Sequence, residues 1–271
     1  MKTKSLRIES FSSKDLEAVA LLQPEGWPDI LPSVQYYCAS DFCFPLKATL
    51  DGIIVGIGTA IIHGSTAWLA HIIVHKDYRN EGLGTTITKA LIDVIHKTPC
   101  RTILLIATAL GEPVYKKVGF EVQTQYIFFD QGLLPLPSDS VKEIVTFHKR
   151  YEKALLNLDR LVSGEDRSKL LNDYVASSTL FIENNDIKGF YIPTLGEGLI
   201  VAETREAGLE LMKIKSSTHT NFCLPCDNED GIEFLTNSGY KENRKASRMI
   251  LGDKLSWDGR KIYSRIGGNL G

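Results

Sequence analysis

The chain has 271 residues, of which 43% are hydrophobic and 24% charged, and a formal net charge of −2. That length accommodates two domains of ordinary size, and the composition is that of a globular protein rather than a disordered or fibrous one. A near-neutral balance gives no support for bulk electrostatic capture of nucleic acid or of an anionic membrane, and no apolar run approaches the length of a spanning helix.

Leu6–Ser10 alternates as a first strand. Ser12 or Ser13 then caps a helix with Asp15 and Glu17 in its first turn, and Pro24-Glu25-Gly26-Trp27-Pro28 interrupts it as a loop anchored on a tryptophan. A helix over 34–39 leads to a strand over 44–50, and Asp51-Gly52 marks a tight hairpin turn into a strand over 53–62. Gly56 and Gly58 inside that strand indicate a bulge or the close approach of another element. After His63-Gly64-Ser65 comes a buried strand from Trp68 to Val74, the third of three consecutive antiparallel strands.

Arg79-Asn80-Glu81-Gly82-Leu83-Gly84 lies between this strand and an amphipathic helix from Leu83 to Lys97, with Leu83, Ile87, Leu91 and Val94 on its apolar face. Two glycines at that spacing remove side chains where backbone N–H groups crowd a ligand. The helix aims its positive end and its first unsatisfied N–H groups at the same point, so an anion is expected there, a pyrophosphate above all. A GxxxxGK[ST] phosphate loop is excluded because Thr85-Thr86 follows Gly84. The dinucleotide fingerprint is excluded because the next strand, Thr102–Ala107, ends without an acid.

This segment resembles motif A of the GNAT acetyltransferases, whose Q/R-x-x-G-x-G/A loop grips the pyrophosphate of coenzyme A. One helix and one strand later, Tyr115-Lys116-Lys117-Val118-Gly119-Phe120 resembles the Y-x-K-x-G-F segment of the same family. The resemblance implies acetyl-CoA as cosubstrate and no metal. Its pantetheine would lie as a pseudo-strand against the backbone of Ile72, Ile73 and Val74, where an N–H can stabilise the charge that a thioester carbonyl gathers under attack. Its pyrophosphate would be cradled by Arg79, Asn80, Glu81, Gly82, Leu83, Gly84 and Thr85. Glu81 departs from the pattern, in which a basic or small residue is usual, so its side chain is expected in solvent. Thr108 replaces an asparagine that bonds the cofactor in many relatives. Tyr115 takes the place of a tyrosine that sits at the cofactor and protonates the departing thiolate. No motif marks the base that takes the amine proton; His71 is the first candidate, ahead of Glu112, and His75 also flanks the strand. Trp27 falls on the acceptor side, as a pocket wall or as a packing anchor for its loop.

Glu121–Asp130 alternates as the closing strand of the first domain, and Gln131 to Ser140 is a proline-punctuated linker. A helical region through Tyr151, Leu155 and Leu158 follows, and another helix opens at Glu165. Strands over 179–183, 187–192 and 198–202, a helix capped by Thr204, a strand over 220–225, a helix over 230–237 and Gly239-Tyr240 then repeat the order of the first domain. Here Ala202-Glu203-Thr204-Arg205-Glu206-Ala207-Gly208 stands in place of the glycine loop, with one glycine and two glutamates where phosphates would lie.

The whole chain therefore resembles a bacterial two-domain GNAT group, which ends in an RM-x-x-G segment like Arg248-Met249-Ile250-Leu251-Gly252. The implied fold is α/β, or α+β by some schemes: two tandem GNAT-like domains, each a mixed, mostly antiparallel central sheet flanked by helices. Residues 1–132 would form the catalytic domain with the acetyl-CoA site, and 133–271 a degenerate domain without a cofactor loop.

Five irregularly placed cysteines form no disulfide framework, and the charged N-terminus precedes no apolar segment, so a reducing cytoplasm is the expected compartment. Cys223-Leu224-Pro225-Cys226 has no second pair, which makes it a weak metal signal. The expected function is acetyl-CoA-dependent N-acetylation of a primary amine, on a small molecule or a peptide, with no nucleic-acid or membrane partner. The alternative is a non-catalytic acyl-CoA-binding regulator or scaffold that keeps the loop and has lost the chemistry.

Overall fold

The computed structural model describes residues 5–130 and 142–270, which fall into two compact units. The N-terminal unit comprises Met1–Leu105, Ala109–Glu121 and Ile250–Gly252, and the C-terminal unit Ile106–Thr108, Val122–Met249 and Asp253–Gly271. The linker expected over 131–140 lies outside the described residues.

In chain order the N-terminal unit holds β1 (Leu6–Ser10), α1 (Leu16–Val19), α2 (Leu31–Ala39), β2 (Cys43–Leu50), β3 (Ile53–His63), β4 (Thr66–Val74), α3 (Leu83–Ile95), β5 (Thr102–Ala107) and α4 (Glu112–Lys117). The strands run β1-β2-β3-β4-β5, antiparallel up to β4 and parallel between β4 and β5. The expected first helix is a single α turn between two 3-10 turns, opened by a capping box between Ser12 and Asp15. Asp51 and Gly52 are consecutively left-handed, with φ of 50° and 87°, and this primed turn matches the twist of β2 and β3.

Gly56 and Gly58 answer to both expectations. A β-carbon on Gly58 would lie 2.8 Å from Ile87 Cγ2 and 2.9 Å from Leu91 Cδ1, so α3 seats these side chains directly on the backbone of β3. The facing strand is bulged at the same level. The buried stripe of α3 is Leu83, Ile87, Leu91, Ile92 and Ile95; Val94 is only half-buried, so the stripe sits slightly rotated from its expected face.

The C-terminal unit follows with β6 (Glu121–Asp130), β7 (Ile144–Thr146), α5 (Glu152–Ser163), α6 (Ser168–Asn172), β8 (Thr179–Glu183), β9 (Asp186–Ile192), β10 (Leu199–Ala202), α7 (Arg205–Ser216), β11 (Asn221–Pro225), α8 (Glu229–Asn237), β12 (Lys241–Gly252) and β13 (Ile262–Ser264). One sheet has the order β13-β10-β9-β8-β7, and β6 lies between β12 and β11. Ile144-Val145-Thr146, expected to be helical, is a strand; three β-branched residues in a row favour that outcome, and the helix begins only at Glu152.

β6 was expected to close the first domain. From Val122 onward it groups with the C-terminal unit, where Phe129 pairs with Phe222 and Ile127 with Leu224 in one apolar core. Alternation names the face a strand buries but not the strand it pairs with. The internal repeat extends to single hydrogen bonds: Phe120 N donates to Tyr115 O at 3.1 Å, and Tyr240 N to Leu235 O at 3.0 Å, each closing its helix in the same way.

Candidate active site

β4 and β5 pair at Thr66↔Thr102, Ala67↔Ile103 and Trp68↔Leu104, and then part. Beyond Trp68 the side of β4 that faces away from β3 has no strand partner among the described residues. β4 is also bulged there: Ile57 pairs with Ile73 but Thr59 with Ala70, so His71 and Ile72 together face Gly58, and His71 takes a φ of 45°.

The ladder shows which amides face the gap. His75 N donates to Val55 O at 2.9 Å, so the neighbouring pair, Val74–Gly56, is an unbonded one and the Val74 N–H and C=O point to the open edge. Arg79 Nε already donates to that Val74 carbonyl at 3.1 Å. By the same alternation Ile73 turns its backbone to β3, and Ile72 lies in the bulge. Of these three residues, Val74 presents the amide with the clearest access to the gap.

The turn that follows leaves the start of α3 open. Asn80 and Gly82 are left-handed, with φ of 64° and 82°, and Gly82 ends the turn as the N-cap of α3 with no side-chain cap. The first-turn N–H groups of α3 are left without a capping side chain. Thr86 Oγ1 donates to Gly82 O at 3.3 Å and Thr88 Oγ1 to Gly84 O at 2.7 Å, whereas the Thr85 hydroxyl makes no such bond among the described residues. A β-carbon on Gly84 would meet only Val114 Cγ1 at 3.9 Å and Val74 Cγ2 at 4.0 Å, both ordinary contacts. Packing within the chain does not require glycine at 84, so the space beside it is a cradle that a side chain would fill. Glu81 is exposed, as expected.

Tyr115, on α4, is half-buried and meets Phe120 edge-on at 6.0 Å. Burial pushes its phenol up to about 12, so the proton stays on Oη throughout the neutral range. Glu112 is tied to Lys116 at 2.6 Å, which leaves it poorly placed to act as a base. His75 Nδ1 accepts from Asp77 N at 3.3 Å and so serves the turn.

His71 Nδ1 lies 2.8 Å from Tyr37 Oη, and its ring is 5.6 Å from that of Tyr37 and 6.2 Å from that of Trp27. Burial pulls the His71 imidazole down to about 4, so it is neutral at physiological pH. Trp27, 42% exposed, is held in place through its loop. Gln23 Nε2 donates to the carbonyls of Pro24, Trp27 and Pro28 at 3.1–3.2 Å, and Gln23 Oε1 accepts from Ile30 N at 3.2 Å. Neither Gln23 nor Tyr37 belongs to a motif, and nothing local in the sequence marks them. Thr108 directly follows β5 and groups with the C-terminal unit.

The C-terminal unit repeats the strand–helix step but fills its cleft. Thr204 Oγ1 caps α7 by accepting from Ala207 N at 3.3 Å. β13 pairs with β10 at Ile200↔Ser264 and Val201↔Ile262, and Arg265 N donates to Cys223 O of β11 at 3.0 Å. A strand of the chain itself thus lies between β10 and β11, the counterparts of β4 and β5. Lys215 Nζ, fully buried, fastens it through Ser264 Oγ at 2.6 Å. Leu235 stands where the repeat places Tyr115. A β-carbon on Gly208 would fall 2.2 Å from Tyr263 Cζ. Gly208→Ala is therefore expected to destabilise the protein by about 2–3 kcal/mol, read by chemical denaturation, through overpacking against β13. The Cys223 thiol is buried in β11, where burial pushes it up to about 12, while Cys226 is exposed beyond it, so the two do not act as a redox pair.

Two stretches of the chain, residues 33–137 and 155–264, match families described as Acetyltransferase (GNAT) domain. A Bacillus subtilis protein named as an uncharacterized N-acetyltransferase is 25% identical over 154 residues, which cover 56% of this chain and only 54% of that protein. A Methanocaldococcus jannaschii protein of the same description is 28% identical over 158 residues, covering 54% of this chain and 93% of its own. In fold, a candidate acetyltransferase from Pyrococcus horikoshii matches 100% of this chain and 98% of its own with a TM-score of 0.84, at 22% identity. With a glycine turn, a parted strand pair and two matched domains, the chain belongs to the GNAT family of N-acetyltransferases.

Proposed function

We propose that the protein transfers an acetyl group from acetyl-CoA to a primary amine, of a small molecule or a peptide, with 1–132 as the catalytic domain and 133–271 as a degenerate one. The observation that carries this reading is the cradle at Gly82 and Gly84, beside the unpaired edge of β4. Its N–H groups, with Arg79, Asn80 and Thr85, suit a pyrophosphate, and the Val74 N–H suits an extended amide chain. Acetyl-CoA supplies an activated thioester carbonyl.

The chain's own residues do the rest. Tyr115 keeps its proton on Oη and offers it as a hydrogen bond to the sulfur side of the gap. His71 is the base. A neutral imidazole this weak does not strip an ammonium ion; it takes the proton from the amine nitrogen as the new C–N bond makes that nitrogen acidic. Trp27 forms a wall beside His71. Among the described residues no helix is long and apolar enough to cross a membrane, and the cytoplasm is the proposed compartment.

Calorimetric titration with acetyl-CoA tests the reading. One site per chain is expected, followed by thiol release when a library of primary amines is added. No binding would overturn both this function and the acyl-CoA-binding regulator. Binding without turnover for any amine would leave the regulator.

A further inference from the structure

β1 is the edge strand of the N-terminal unit: it pairs with β2, and among the described residues no strand pairs with its other side. The ladder tells which of its groups are left over. The register Leu6↔Leu50 to Ser10↔Leu46 continues into Phe11 and Pro45, where Phe11 N donates to Pro45 O at 2.9 Å. At the other end Asp51 N donates to Ser5 O at 3.4 Å, in the same phase. Directly opposed pairs in an antiparallel ladder alternate between bonded and unbonded, so Arg7 and Glu9 also turn their N–H and C=O to β2. Leu6, Ile8 and Ser10 turn theirs to the open edge.

An open edge is a template for another strand, and edge strands that stay alone are blunted by proline, a bulge, a cover or charge. β1 contains no proline, its register with β2 is unbroken, and Leu6, Arg7, Glu9 and Ser10 are all exposed. Its two charges are opposite in sign and two residues apart. Among the described residues neither Arg7 nor Glu9 forms an ion pair, and Lys47, opposite Glu9, is bound to Asp15 at 2.6 Å. Such charges repel most strands but complement one in which their order is reversed.

The strand that reverses the order is β1 itself, run antiparallel. A ladder forms only where outward-turned residues oppose outward-turned residues, which limits its two-fold centre to Leu6, Ile8 or Ser10. Centred on Ile8 it uses the whole strand. Ile8 then faces Ile8, Leu6 faces Ser10, and Arg7 of each copy faces Glu9 of the other. These charge pairs fall at the unbonded positions, where opposed side chains approach most closely. We infer that two copies of the chain associate through β1, antiparallel about Ile8, with two Arg7–Glu9 pairs across the two-fold axis. A strand of five residues makes a small contact, so the dimer is weak and dissociates on dilution.

Sedimentation velocity of the full chain, run from about 1 to about 500 µM, tests this; a monomer–dimer equilibrium is expected, with a dissociation constant on the order of 100 µM. Arg7→Glu and Glu9→Arg should each stay monomeric, because like charges then meet twice across the axis. Both positions are exposed, so circular dichroism should show the fold retained. An equal mixture of the two variants should dimerise, since every carboxylate of one then faces a guanidinium of the other. The Ile8 amide should exchange more slowly at high concentration, while those of Arg7 and Glu9, already bonded to β2, should not change. A chain that remains monomeric throughout, a dimer that survives either single variant, or a mixture that stays monomeric would overturn the proposal. No arm involves acetyl-CoA, so the result is independent of the proposed function.

Discussion

Gly84→Glu is expected to weaken acetyl-CoA binding severely while leaving the fold intact. The space around Gly84 admits a β-carbon without conflict, and residue 84 lies in the first turn of α3, where a carboxylate suits the helix dipole. That same carboxylate would occupy the cradle and oppose a pyrophosphate. Calorimetry should show affinity weakened on the order of 100-fold or more, about 2.8 kcal/mol. Gly84→Ala separates size from charge. It should raise stability by up to about 1 kcal/mol through helix propensity, yet bind acetyl-CoA less well than the native protein. A variant that gains stability and loses affinity identifies a glycine kept for a ligand. Unchanged binding in Gly84→Glu would place the cofactor elsewhere.

Tyr115→Phe should lower kcat on the order of 100-fold, the modest end of the range for a proton donor, with the calorimetric affinity for acetyl-CoA unchanged. The size follows from the environment of the phenol. A hydroxyl held near 12 is a poor acid toward a thiolate, whose own value is about 8.5, so full transfer runs uphill and the main contribution is a hydrogen bond. Phenylalanine keeps the edge contact with Phe120, so the thermal midpoint should stay within a few degrees. A kcat equal to that of the native enzyme would remove Tyr115 from the chemistry.

The local features of this site were legible in the chain itself. Asp51-Gly52, the two glycines before α3 and the apolar stripe behind them are each written within a few residues, because turn geometry and helix periodicity are short-range properties. Other features were not. Tyr37 and His71 are 34 positions apart and meet only because α2 lies against the bulge in β4. The residues that β6 pairs with on β11 are more than 90 positions away, and its alternation suits any apolar face equally well. Ile262–Ser264 is too short to announce itself as a strand, and nothing near it says that it fills a cleft.

That short strand sets the two halves of the chain apart in how they respond to their surroundings. It is, in effect, a ligand that the C-terminal unit carries on its own backbone. Tethering gives it an effective concentration on the order of millimolar, and docking costs it no translational freedom. The rigidity of that unit is therefore constitutive. On the proposed function, the gap beside β4 would instead be filled only by mass action. With acetyl-CoA at 100 times its dissociation constant, the N-terminal unit would gain about 2.7 kcal/mol of stability, and lose it as the pool is drained. On the proposed function, one half of the molecule would keep a fixed stiffness, and the other would rise and fall with the acetyl-CoA supply.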